Sequence, residues 1–173
     1  MPRNRGLRAD FLPDPASEVG HDPHLLVASK SAPDTLWQQN HCGIFWSRDG
    51  GLNWVENSQS EGPARFGFCV AVDEEEPSRA WVIPAESDQT RAPIGQSLVV
   101  CRTSDGGASW DECREGLPQE ACFDLVYRHA PDVASETLVF GSTNGNLYLS
   151  PDLGESWTCL ASHLPPIYSV RFA

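Results

Sequence analysis

The chain carries the stretch Ser47-Arg48-Asp49-Gly50-Gly51-Leu52-Asn53-Trp54 three times in related form. The later copies are Thr103-Ser104-Asp105-Gly106-Gly107-Ala108-Ser109-Trp110 and Ser150-Pro151-Asp152-Leu153-Gly154-Glu155-Ser156-Trp157. All three share the pattern Ser/Thr-x-Asp-x-Gly-x-x-Trp, which we call the octapeptide, and their Asp residues lie 56 and 47 residues apart. Self-similarity at this period predicts a repeat protein built from one small antiparallel sheet per repeat, as in a four-stranded propeller blade.

Each octapeptide follows a short apolar run, which places it between the third and fourth strands of its repeat. Its Gly can take positive φ where the chain reverses direction, its Asp can accept hydrogen bonds from backbone N–H groups, and its Trp can cover the hairpin. A calcium loop needs several oxygens, whereas each copy offers one carboxylate. We therefore expect a structural role for the residues Ser47, Asp49, Gly51, Trp54, Thr103, Asp105, Gly107, Trp110, Ser150, Asp152, Gly154 and Trp157.

Short strands broken by Gly, Pro, Asn or Asp predict an all-β chain, with repeats over about 25–58, 66–116 and 122–161. The third repeat is expected to begin with a strand at 123–127 and a turn at Ala130-Pro131-Asp132. Residues 1–24 carry four prolines and predict an irregular arm. Residues 167–172 resemble the first strand of a repeat, so we expect a closing strand there. The prediction is an incomplete β-propeller ring of three four-stranded blades plus one extra inner strand.

The composition disfavours several functions. A net charge of −12 with no basic stripe argues against nucleic acid or anionic membranes as partners. No apolar run approaches the ~20 residues that a membrane span needs, and we expect no signal peptide, since no apolar run follows the basic start. Six cysteines without a Cys-x-x-Cys pair indicate reduced, mostly buried thiols, and we expect a cytoplasmic protein. We also expect no cofactor.

The segment Glu18-Val19-Gly20-His21-Asp22-Pro23-His24 combines two histidines with carboxylates, ligand types that bind metal ions. The alternative is a polar loop in which Asp22 caps the turn before Pro23. Loose spacing of two ligand types is a weak signal, so we expect no metal site.

The octapeptide resembles the Asp-box, or BNR repeat, of sialidases, sortilin-like receptors and several glycoside hydrolases, which are β-propellers. Longer strings resemble a bacterial group described as BNR-repeat glycosyl hydrolases or sialidase-like proteins. These strings cover nearly the whole chain and include Asn40-His41-Cys42-Gly43-Ile44-Phe45, Phe66-Gly67-Phe68-Cys69-Val70-Ala71-Val72 and Asp124-Leu125-Val126-Tyr127-Arg128-His129-Ala130. The resemblance implies that the chain matches the C-terminal half of such proteins.

We expect a ligand face at the end of the sheets away from the octapeptides, because function concentrates in loops held by a rigid scaffold. The candidate residues for this face are His41, Asn144, His163 and Tyr168. Aromatic side chains such as Phe68, Tyr127 and Tyr168 can form the floor for a sugar-like ligand.

The segment 86–91 adds Glu86, Asp88 and Arg91 as candidates for catalysis. Glycoside hydrolysis needs two carboxylates about 5 to 9 Å apart. The alternative interpretation of segment 86–91 is a loop whose charged side chains face solvent. The Phe/Tyr-Arg-Ile-Pro motif of sialidases is missing, which argues against their chemistry here. The resulting hypothesis is a non-catalytic propeller module for binding or scaffolding, with a carbohydrate or protein ligand and with self-association or a separate N-terminal half as partner. A sialidase-like glycoside hydrolase completed by other blades is the alternative.

Overall fold

Twelve β-strands form three four-stranded antiparallel sheets in the computed structural model, which describes residues 3–173. Sheet 1 contains β1 (Pro23–Ala28), β2 (Leu36–Asn40), β3 (Gly43–Ser47) and β4 (Val55–Glu56). Sheet 2 contains β5 (Gly67–Val72), β6 (Ala80–Pro84), β7 (Val100–Thr103) and β8 (Asp111–Cys113). Sheet 3 contains β9 (Pro131–Ala134), β10 (Thr137–Gly141), β11 (Leu147–Ser150) and β12 (Thr158–Ala161). The prediction of an all-β chain with three four-stranded units is confirmed.

In every sheet the strands lie side by side in chain order, and the first strands face one another, with β1 packed on β5 and β5 on β9. The long excursion between β6 and β7 contains a short 3-10 turn at Ile94–Gln96. Within residues 3–173, no helix has the length and apolar character that a membrane crossing requires.

Two apolar clusters lie between the sheets, one on each face of sheet 2. Val70, Val72 and Val82 join the cluster shared with sheet 1, whereas Ala71, Trp81 and Ile83 join the cluster shared with sheet 3. Successive residues of a strand point to opposite faces, so a sheet covered on both sides requires apolar residues at every position. This explains the uninterrupted apolar runs of β5 and β6, in which every residue is buried.

The octapeptides occupy the β3–β4, β7–β8 and β11–β12 loops and share one hydrogen-bond pattern. In the second copy, the Thr103 hydroxyl donates to Asp105 Oδ1 at 2.8 Å and accepts the Gly107 N–H at 2.9 Å. The Ser109 backbone N–H and hydroxyl donate to the two Asp105 carboxylate oxygens at 3.0 and 2.7 Å. The other copies repeat these contacts. Each loop is therefore held by its own side chains.

Two octapeptide Trp residues, Trp54 and Trp157, are hydrogen-bonded through the backbone to the chain that precedes their own sheets. The backbone N–H of Trp157 donates to Glu115 O at 2.9 Å, and the backbone N–H of Trp54 donates to Arg5 O at 2.8 Å. Glu115 and Ser156 form a parallel bridge, as do Arg5 and Asn53. We call residues 3–6 and 114–116 the straps. Residues 114–116 hold the second repeat against the third octapeptide, and residues 3–6 hold the arm against the first.

Both straps contain a glycine with positive φ, Gly6 at 93° and Gly116 at 80°. A Cβ at Gly116 would lie 1.9 Å from the carbonyl oxygen of Trp157, and one at Gly6 would lie 2.1 Å from that of Trp54. Residues 3–6 of the expected irregular arm thus have a defined position on sheet 1. The first two residues of that arm lie outside the described range.

The third repeat differs from its sequence prediction, because its first strand is β9 at Pro131–Ala134 and not 123–127. Residues 123–127 instead form hydrogen bonds with the β10–β11 loop, where the Thr143 backbone N–H donates to Leu125 O at 2.9 Å. The buried Asp124 carboxylate accepts hydrogen bonds from Ser142, Asn146 and Tyr148. The predicted turn at Ala130-Pro131-Asp132 is thereby displaced to Ser135, which has a φ of 52°.

The segment expected to form a closing strand, residues 167–172, makes only an isolated parallel bridge between Ser169 and His129. Val170 N–H donates to His129 O at 3.0 Å, and Phe172 N–H donates to Asp132 Oδ2 at 2.8 Å. A strand requires a ladder of backbone hydrogen bonds. This segment therefore lies beside the entry of β9 without joining a sheet.

Candidate functional site

The end of the molecule opposite the octapeptides gathers loops from all three sheets. Pro23 at the start of β1 pairs with Asn40 at the end of β2, so the β1 entry and the β2–β3 loop lie together. Gly67 pairs with Pro84, which puts the β5 entry beside the excursion 85–99. Pro131 pairs with Phe140, which puts the β9 entry at the same end of its own sheet. Because β1, β5 and β9 are neighbours, the three entries are adjacent.

Aromatic rings cross this end in contact with one another. The sequence of ring contacts runs from Phe11 to His41 at 5.0 Å between centroids, then through His24 and Phe66 to Phe68. It continues from Phe68 to Tyr127 at 5.1 Å and from Tyr127 to Tyr168 at 6.0 Å. We call these seven residues the aromatic row. Phe11 and Tyr168, at its two ends, are 48% and 59% exposed and are open to a ligand.

Arg91 lies over the middle of the aromatic row. Its guanidinium carbon is 5.6 Å from the Phe68 ring centroid, and its Nη1 donates to the Tyr127 hydroxyl at 3.1 Å. Arg91 Nε donates to Asp88 O at 2.9 Å, which fixes the orientation of the guanidinium. The side chain is exposed and has further N–H donors, so this position can bind an anionic group.

Asp22, His24 and His41 bring three ligand atoms within 4.8 Å of one another at the sheet 1 end of the row. Asp22 Oδ2 lies 3.6 Å from His24 Nε2 and 3.6 Å from His41 Nδ1. Burial lowers the pKa of His24 below its usual value, and the hydrogen bond to Gly67 O opposes this shift only in part. His24 is therefore a neutral imidazole near pH 7, which is the form that binds metal ions.

The structure brings together His41, Tyr168 and Arg91 among the residues singled out from the sequence, all within or against the aromatic row. Asn144 and His163 lie at the same end beside each other, since Leu164 N–H donates to Gly145 O at 2.9 Å. His163 is exposed and has a φ of 63°.

The two carboxylates considered for glycoside hydrolysis, Glu86 and Asp88, lie on the exposed excursion. Glu86 Oε2 accepts the Gly95 N–H at 3.4 Å, a contact within the same loop. Arg91, the third member of that set, donates to the Asp88 backbone carbonyl and to the Tyr127 hydroxyl.

Sequence reasoning missed Phe11 and Phe66 as members of the row and missed the contact of His24 with His41. Phe11 lies in the arm, and His24 and His41 are 17 residues apart, so no local spacing connects them. The available signal was the pairing of the β1 and β2 runs, whose register the sequence leaves open because one residue of slip reverses the faces.

Apart from the aromatic row, a concavity of about 380 Å³ lies along the first strands of the three sheets, β1, β5 and β9. Apolar residues of β1 and β5 line it together with charged side chains of both signs, which are Lys30, Glu74, Arg128, Asp132 and Arg171. Its mixed charge selects no single class of ligand.

No protein-family model matches the chain, and no curated protein sequence does. Its structure is similar to YCF48 from Cyanidioschyzon merolae, with a TM-score of 0.57 and 17% identity over 82% of this chain and 37% of that one. It is similar to a structure described as YCF48 bound to D1 peptide, with a TM-score of 0.60 and 15% identity over 85% of this chain and 43% of that one. It is also similar to the GH74 xyloglucanase from Xanthomonas campestris, with a TM-score of 0.51 and 25% identity over 78% of this chain and 18% of that one.

These structures are β-propeller proteins, so the expected likeness to propellers is confirmed at the level of fold. This chain spans less than half the length of each of them. The more specific resemblance, to the Asp-box or BNR-repeat proteins that include sialidases, stays a prediction.

Proposed function

We propose that the chain is a non-catalytic binding module of the propeller type, whose three sheets are Asp-box blades and whose ligand lies on the aromatic row. The observation that carries this proposal is the row itself, because rings from the arm, from sheets 1 and 2 and from the segments that flank sheet 3 meet at one end of the molecule beside the exposed Arg91. Function on a rigid scaffold concentrates in such converging loops. The free thiols, four of them buried, are the reason for keeping the cytoplasm as the proposed compartment.

The ligand that this surface favours is an extended protein segment with apolar side chains and a carboxylate. Aromatic residues and Arg are the side chains enriched at protein interfaces. The similar structure described as YCF48 bound to D1 peptide is a precedent for a peptide ligand on a structure of this kind.

A peptide array followed by fluorescence anisotropy tests this proposal, with Arg91→Ala as the key variant. Loss of a charge-assisted hydrogen bond of about 1.5–3 kcal/mol should lower affinity by at least about tenfold. Arg48→Ala is the matched control, because Arg48 lies 5.1 Å over Trp46 in the same kind of contact but at the octapeptide end. A bound peptide whose affinity is insensitive to Arg91→Ala, or an array without any ligand, would refute the assignment of this face.

The glycoside hydrolase alternative gains nothing from the positions of Glu86 and Asp88 on their exposed loop. Turnover of an aryl-glycoside panel by the chain would overturn the non-catalytic proposal. In that case, loss of turnover in a Glu86→Gln, Asp88→Asn double variant would assign the reaction to these carboxylates. Turnover that the double variant leaves intact would assign it elsewhere.

We further propose that sheet 3 packs against another octapeptide repeat, supplied by a second copy of the chain or by a separate half-propeller. The contacts between sheets recur within the chain, because Trp81 Nε1 of sheet 2 donates to Leu153 O in the next octapeptide at 3.0 Å. Leu160 in β12 of sheet 3 is 54% exposed, and Leu164, which follows this strand, is 42% exposed. Multi-angle light scattering should detect association that Leu160→Glu weakens, and a monomer at all concentrations would contradict self-association.

A further inference from the structure

We propose that Asp22, His24 and His41 form a binding site for a divalent first-row transition metal ion, with zinc as the best match. Two imidazoles and one carboxylate are a known donor set for such ions, with the remaining position taken by water or a ligand. The site lies at the sheet 1 end of the aromatic row and is independent of whether a peptide binds there.

The backbone places these residues by means of an irregularity in the β1–β2 ladder. Pro23 pairs with Asn40 and Leu25 pairs with Gln39, so His24 is the extra residue of a β-bulge. Bulges redirect a side chain and recur beside functional sites. His41 N–H donates to Asp22 O at 3.0 Å, which holds the β2–β3 loop against the residue that precedes β1.

The hydrogen bonding of His24 fixes the tautomer that a metal ion requires. His24 Nδ1 lies 2.6 Å from Gly67 O, and a carbonyl oxygen only accepts, so Nδ1 carries the proton. In the neutral ring Nε2 then has its lone pair free, and it has no hydrogen-bond partner among residues 3–173. An imidazole N–H donated to a backbone carbonyl is the usual outer-shell support of a metal-binding histidine.

The distances from Asp22 to the two imidazoles suit a shared ion better than direct hydrogen bonds. At 3.6 Å, Asp22 Oδ2 is too far from either imidazole nitrogen for a hydrogen bond. Two ligand atoms of a tetrahedral zinc ion lie about 3.3 Å apart, given metal–ligand lengths of about 2.0–2.1 Å. An octahedral arrangement would bring adjacent ligands to about 3.0 Å, so the tetrahedral ion is the closer match.

Burial around the site gives both support and access. The His24 side chain is 3% exposed and stacks on Phe68, whereas that of Asp22 is 53% exposed. Phe66 packs edge-on against both imidazole rings. An apolar wall of this kind lowers the local dielectric and strengthens ligation, while the exposed carboxylate leaves a path for an ion from solution.

The test is a zinc titration of the untagged full chain by calorimetry, with a phosphine reductant that keeps the thiols reduced. Wild type should bind one zinc ion per chain and melt at a higher temperature when saturated, since an ion bound only by the folded state stabilises it. Asp22→Asn and His41→Gln should each lower affinity by at least about tenfold, because loss of outer-shell partners alone costs 10–100-fold. Cobalt in place of zinc should give the intense visible absorption of a tetrahedral site.

His163→Asn is the matched control, because it removes an exposed histidine at the same end and Asn tolerates positive φ. It should bind zinc as wild type does. Absence of saturable binding in wild type would overturn the proposal. The proposal would also be overturned if folded Asp22→Asn bound zinc with full affinity while Cys42→Ser lost zinc binding. That result would assign the ion to the neighbouring Cys42 thiol.

Discussion

Replacement of Gly116 by Ala is the most direct test of how the sheets are held together. A side chain at its φ of 80° costs about 1 kcal/mol. The added Cβ would lie 1.9 Å from Trp157 O, so the strap must move away from the octapeptide. That movement breaks the 2.9 Å hydrogen bond from Trp157 N–H to Glu115 O, worth about 1 kcal/mol, and uncovers part of the buried Leu117. We expect a total loss of about 3 kcal/mol in the free energy of unfolding.

Gly95→Ala is the matched control, because Gly95 has a φ of 59° and a Cβ there would meet no atom within 4 Å. It should lose only the backbone term of about 1 kcal/mol. Equilibrium denaturation in urea, followed by tryptophan fluorescence, measures both variants provided that the slope m is unchanged. Gly6→Ala should behave like Gly116→Ala if residues 3–6 form the equivalent strap. Equal losses for Gly116→Ala and Gly95→Ala would show that the strap contact contributes nothing.

Three further outcomes follow from the buried and hydrogen-bonded groups. Hydrogen bonds within the octapeptides lower the pKa values of the three Asp carboxylates from 3.8 to about 2. The stability that these carboxylates contribute is therefore present above about pH 4 and should fall as the pH decreases toward 2. Urea midpoints measured as a function of pH test this. Asp124→Asn puts an amide donor against the Tyr148 hydroxyl and should cost about 2–3 kcal/mol in urea denaturation, whereas Asp88→Asn on the exposed loop should cost nothing measurable. A thiol reagent should label the exposed Cys159 in the native protein and Cys69, whose pKa burial raises to about 12, only after unfolding; equal labelling rates would contradict this packing.

The sheets could be predicted from the sequence because the octapeptide is satisfied locally. Its Ser or Thr hydroxyl, its Asp and its Gly bond within one loop, and in the first two copies the hydrogen bonds from Asn53 or Ser109 are the largest cause of the lowered Asp pKa. In the third copy partial burial opposes the shift, and the hydrogen bonds from Ser156 and Ser150 outweigh it. A motif whose hydrogen-bond partners lie within the motif adopts the same conformation wherever it occurs, so its sequence predicts its local structure. The start of sheet 3 could not be predicted in this way, since the hydrogen-bond partners of Asp124 lie 18 to 24 residues away, in the β10–β11 loop and in β11.

The candidate site depends on contacts that only the assembled sheets create. His24 meets His41 through a bulge in the β1–β2 ladder, and Phe68 meets Tyr127 through the packing of β5 beside β9. Neither bulge position nor sheet packing has a pattern at fixed spacing, so His41 and Tyr168 could be named individually but not joined into one surface. The repeats have a further consequence for function. Because each octapeptide has a structural role in its own loop, chemistry and recognition are left to the opposite end, where the three sheets differ in sequence and the arm contributes Phe11.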